Sequence, residues 1–79
     1  MEINEFIKNF AIQFDDTDIS EFKADTNFRE LDEWSSLISL AILNMVEKKY
    51  GVKVSFSDLR ELSIIQQLFS FVEKKKNVL

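Results

Sequence analysis

Residues 28–50, FRELDEWSSLISLAILNMVEKKY, decide the fold, because they set two adjacent serines, Ser35 and Ser36, in front of the longest helical pattern in the chain. At about 100° per residue, Ile38, Ile42, Met45 and Val46 fall on one side, flanked by Leu43 and Tyr50. This predicts a helix over 36–50 with that side toward the core. Ser36, Asn44, Glu47 and Lys48 gather on the opposite side, with Leu37, Leu40 and Ala41 among them. An outer face that is part polar and part apolar is a candidate contact surface. Gly51 follows at once, as expected of a residue that stops a helix in the left-handed conformation.

Upstream, Ile3, Phe6, Ile7, Phe10 and Phe14 recur at steps of three and four, which predicts a first helix over 2–14. Glu2 and Glu5 suit its first turn, where the helix dipole favours negative charge. The acidic connection 15–34 is long for a small domain, and Ile19, Phe22, Phe28, Leu31 and Trp34 are expected to pin it to the core. Asp15, Asp16 and Asp18 lack the glycine and the terminal glutamate of a calcium loop, so they read as a solvated turn. Downstream, the extended VKVSF leads to Ser57 and Asp58, expected to cap a short helical turn over 59–62. Ser63 is expected to cap a last helix whose apolar face is Ile64, Ile65, Leu68, Phe69, Phe71 and Val72. The fold class is therefore all-α: one small bundle of three main helices plus one short one, with a long first crossover.

Composition narrows the function. In 79 residues there is no histidine and no cysteine, so the commonest general base, a disulfide framework and a thiolate metal site are all excluded. One glycine and no proline leave no material for a phosphate-cradling loop. A small enzyme would have to rely on carboxylates such as Asp32 and Glu33, with nothing to pair them. Residues 1–34 hold ten acids and three bases, whereas residues 35–79 hold four acids and seven bases. The net charge of −4 argues against nucleic acid as the partner. The basic run Lys74, Lys75 and Lys76 reads as the complement of a helix C-terminus. No apolar run is long enough to span a bilayer and the start MEINEF is unlike a signal peptide, so the expected location is the cytoplasm, without membrane insertion.

A serine at a helix N-terminus caps it by accepting a hydrogen bond from an amide two or three residues on. The same unpaired amides and dipole also favour a phosphate ester. One of Ser35 and Ser36 therefore reads as the cap, and the other is either incidental or an attachment point.

The order of a helix, a long loop, Ser-Leu opening a second helix, a short third helix and a final helix resembles the acyl carrier protein family. FRELDEWSSL stands where the family has Asp-Ser-Leu behind an apolar approach, with Phe28, Leu31 and Trp34 as that approach and Ser36-Leu37 as the Ser-Leu. The likeness runs on through EKKYGV and VSFSDLRELSIIQQLFSFV and covers essentially the whole chain. It implies that a phosphopantetheinyl transferase attaches 4′-phosphopantetheine from coenzyme A to Ser36, and that the arm's thiol holds an acyl group as a thioester. The protein would be a monomeric carrier rather than an enzyme, presenting cargo to acyl-activating or acyl-transferring enzymes in a specialised lipid, polyketide or cell-surface pathway. Leu37, Leu40, Ala41, Asn44, Glu47 and Lys48 match the family's docking face. Two departures stand out: Ser35 replaces the family's Asp, and the docking face carries a single acid. Docking should accordingly depend less on salt and involve a dedicated set of partners. The other reading is an unmodified module of the same fold that binds a protein through the second helix.

Overall fold

A computed structural model describes residues 1–77. Four helices are present among them: α1 (Ile3–Ala11), α2 (Ser36–Tyr50), α3 (Phe56–Arg60) and α4 (Ile65–Lys76). Strands are absent among the described residues; Asn27 and Ile64 form a single isolated bridge. The helical bundle expected from the sequence is what the chain forms.

Helix α1 begins with Glu2 as its cap, the carboxylate accepting from the amides of Asn4 and Glu5. It stops three residues short of the expected end, at Ala11. The amides of Gln13 and Phe14 donate to Phe10 and Ala11, so the last turn tightens to three-residue bonds. That tightening still carries Phe14 into the core. Fully buried Phe6, Phe10, Phe28, Ile42, Val46, Ile65, Leu68 and Val72 form the centre, where α1 packs on α2 and α4.

The crossover from α1 to α2 is not structureless. It contains two 3₁₀ turns, Ile19–Glu21 and Phe28–Glu30, each started by a side chain: Asp18 accepts from Ser20, and Asn27 accepts from Arg29. Phe22 and Phe28 are buried, and Leu31 and Trp34 pack against the core. Ring centroids lie 4.9 Å apart for Phe14 and Phe22, 5.7 Å for Phe10 and Phe28, and 4.8 Å for Phe28 and Trp34. Such tilted ring contacts add to the burial of their area. Ile19, expected to be a pin, is instead 63% exposed, because it opens a 3₁₀ turn on the outside of the loop. Backbone bonds complete the attachment: Phe28 donates to Ser63, Ile65 to Thr26 and Gln66 to Ala24.

Two local expectations are corrected by the capping chemistry. The short helix is Phe56–Arg60 rather than a turn over 59–62, and Ser55, not Ser57, caps it. Ser55 Oγ accepts from the Asp58 amide while Asp58 accepts from the Ser55 amide, a reciprocal box that fixes the start three residues earlier. Nor does Ser63 cap α4. The side-chain Oε1 of Gln67 accepts from the amides of both Ser63 and Ile64, and Ile64 is the cap position. Gly51 ends α2 at φ 70°, as expected. At the far end of α4, Lys75 lies 5.3 Å from the Phe71 ring, and Lys76 donates to the carbonyl of Tyr50.

Phe28→Ala is expected to cost about 3–5 kcal/mol of stability, as removal of a fully buried ring does. Phe28→Leu should keep the helical spectrum with a smaller loss. Urea unfolding of both variants checks this, and a loss under about 1 kcal/mol for the alanine would mean that the crossover is held by something else.

Candidate functional site at the start of the second helix

The two serines have separate jobs. Ser35 is the cap of α2: its backbone is extended, its Oγ accepts from the Ile38 amide at 3.2 Å, and its carbonyl accepts from both the amide and the hydroxyl of Ser39. Ser36 is the first helical residue. It is exposed, and its hydroxyl makes no hydrogen bond among the described residues.

Glu33 anchors the approach. Its carboxylate accepts from the amides of Asp15 and Asp16 and from the Thr17 hydroxyl at 2.6 Å. The Thr17 bond above all, with those of the amides, holds the carboxyl below the ordinary glutamate value of 4.5. The acidic turn is thereby tied to the segment that leads into the serines.

Arg29 braces the other side. Its Nε donates to the Leu62 carbonyl at 2.8 Å, and an Nη donates to the Leu59 carbonyl, so the crossover is bonded to the end of α3. The result is an open cavity of about 510 Å³ between the crossover, α2 and α3. It is lined by Trp34, Phe56 and Leu59, by Ser35, Ser36 and Ser39, and by Arg29 and Arg60. Ser36 therefore stands on the wall of a basic, half-apolar recess.

The outer face of α2 carries the remaining predicted residues. Leu37 is 76% exposed and Leu40 43% exposed. Ala41 is half-buried, and Asn44, Glu47 and Lys48 are exposed. Ala41, Asn44 and Lys48 line a shallower recess with Gln13, Met45 and Lys49. The structure thus places all six on one accessible helix face. Sequence reasoning missed Arg29, Ser39, Phe56, Leu59 and Arg60 as neighbours of the serines. The spacing Ser55-x-x-Asp58 was the signal that brings Phe56 and Arg60 into a helix facing them.

The family profile described as a phosphopantetheine attachment site matches residues 5–72, spanning most of α1, all of α2 and α3, and most of α4. The chain belongs to that family. This carrier domain is also 28% identical over 76 residues to an acyl carrier protein of Solidesulfovibrio magneticus, an alignment covering 96% of this chain and 97% of that protein. Membership implies covalently attached 4′-phosphopantetheine as the cofactor of the carrier domain. The residues present fit that group: the cavity offers an exposed hydroxyl to esterify, two guanidiniums and helix-start amides for a phosphate, and apolar walls beside them. No helix among the described residues is long and apolar enough to cross a membrane.

Two outcomes follow from this geometry. Ser35→Ala is expected to destabilise the protein by about 1 kcal/mol, whereas Ser36→Ala should stay within about 0.5 kcal/mol of the parent, as read by urea unfolding. For Glu33 the lowered carboxyl sets the sign: its hydrogen bonds stabilise fully above the ordinary value of 4.5 and are lost as pH falls through the lower folded value. Denaturation across an acid pH series should show the parent's advantage over Glu33→Gln shrinking below pH 4.5.

Proposed function

We propose that this chain is a specialised acyl carrier whose Ser36 receives 4′-phosphopantetheine from coenzyme A through a separate phosphopantetheinyl transferase. The thiol of the arm then holds an acyl group as a thioester, and the protein itself catalyses nothing. One observation carries the assignment of Ser36 over its neighbour: Ser35 already serves as the helix cap, while the Ser36 hydroxyl is exposed and unengaged among the described residues. Esterifying Ser36 leaves the cap intact.

The partners are acyl-activating or acyl-transferring enzymes that dock on Leu37, Leu40, Ala41, Asn44, Glu47 and Lys48. The exposed leucines and the single acid of this face support a docking mode governed by apolar contact, and hence a dedicated partner set rather than enzymes selected by a strongly acidic helix. The absence of histidine and cysteine is consistent with chemistry that resides in the arm.

Intact mass after incubation with coenzyme A and a broad-specificity transferase tests the reading. The parent and Ser35→Ala should each gain one phosphopantetheine-sized increment, mapped to the peptide containing Ser36, and Ser36→Ala should gain none. An unmodified parent would sink the carrier reading. Once a partner enzyme is in hand, its coupling to the carrier should change little between low and moderate ionic strength, and a steep loss would show that the docking is electrostatic after all.

A further inference from the structure

The cavity wall beside Ser36 contains two arginines and no carboxylate. The acids near it in sequence are engaged or placed elsewhere. Glu33 is bound to the Asp15, Asp16 and Thr17 groups, Asp58 to the Ser55 amide at the opposite end of α3, and Asp32 and Glu61 do not line the cavity. Helix α2 has no acid in its first turn, although that is where the dipole favours one. The recess is thus a local site of positive charge in a chain whose net charge is −4.

The two arginines are not equivalent. Arg29 is committed through its Nε and one Nη to the carbonyls of Leu62 and Leu59, so its first task is to brace α3. Arg60 is exposed in the last turn of α3 and lies on the cavity wall opposite the start of α2. An exposed guanidinium with a long stem can reach a phosphate bidentately, which a neutral hydroxyl cannot reward.

We infer that Arg60 is a positioning residue for the prosthetic arm: its guanidinium pairs with the phosphodiester on Ser36 and holds the root of the arm across the cavity toward Trp34 and Phe56. This rests on Ser36 being the attachment site. The phosphodiester supplies the negative charge that the first turn of α2 lacks, and Arg60 links it to α3, so attachment draws the two helices together through the arm. An arm swinging out of the cavity has to break or stretch that link first, which makes Arg60 a control on how readily the arm is presented.

The test compares apo and holo protein by nuclear magnetic resonance and thermal unfolding, with mass confirming each state. In the holo parent the Arg60 Nε–H resonance should move from its apo position and exchange more slowly with water, and added salt should return it toward the apo position. Attachment should also raise Tm by about 4 °C at low salt. Arg60→Gln should lose most of that rise and Arg60→Lys should recover part of it, while the apo forms of all three unfold alike. An unchanged Arg60 Nε–H resonance, or an equal rise in Tm for the parent and Arg60→Gln, overturns the pairing while leaving the carrier reading intact. If the mass shows no group on Ser36 at all, both fall.

Discussion

The packing of aromatic rings from the crossover onto α1 is the constraint on which the rest of the structure depends. No disulfide is available to this chain, and residues 12–35 connect its first two long helices with only two 3₁₀ turns of regular structure. A connection of that length carries a substantial ordering cost. Phe14, Phe22 and Phe28 offset it by burying rings against Phe10, and Trp34 packs in turn on Phe14 and Phe28. Phe28 is the joint: it is fully buried, and the next residue is Arg29. Once the ring is seated, the guanidinium is delivered to the carbonyls of Leu59 and Leu62, and α3 is held at the distance that leaves a cavity beside the serines.

The acids of the first half of the chain also serve placement. Glu2 caps α1, Asp18 caps the first 3₁₀ turn, and Glu33 collects two amides and a hydroxyl from the turn after α1. In each case a carboxylate supplies acceptors to backbone donors that would otherwise be unpaired. Part of the acidic surplus in residues 1–34 is thus held in place inside the loop as hydrogen-bonded carboxylates. The start of α2 itself has a neutral serine as its cap and no acid in its first turn.

What was legible in the sequence follows from how local each signal is. Helix α2 could be bounded to the residue because its start, its periodicity and its glycine stop all lie within the same sixteen positions. The all-α class followed from the same logic applied to α1 and α4. Helix α3 could not be placed correctly, since five residues are too few to show a period and Ser57 and Asp58 are as well suited to capping by residue type as Ser55, which does it. Ser63 looked like a cap because the rule considers the residue before the helix, whereas Gln67 performs the task from inside it. The cavity was beyond such reading. Its walls come from segments about thirty residues apart, joined by the Arg29 bonds, and no pattern within one helix reports that contact.

The division of labour between the two serines explains why Ser35 is compatible with a carrier although the family has an acid at that position. A carboxylate and a hydroxyl are both good caps, because each offers an oxygen to the amide three residues on. Replacing one with the other keeps the helix start while removing a charge, and the charge is what differs at this site. With an acid before it, a phosphodiester on Ser36 would meet repulsion at close range, and nearby cations would be shared between the two anions. With Ser35 there, the dipole of α2 and the guanidiniums of Arg29 and Arg60 would face a single negative group on Ser36. The substitution that weakens the match to the family motif is therefore the one that would strengthen the hold of this particular cavity on its arm.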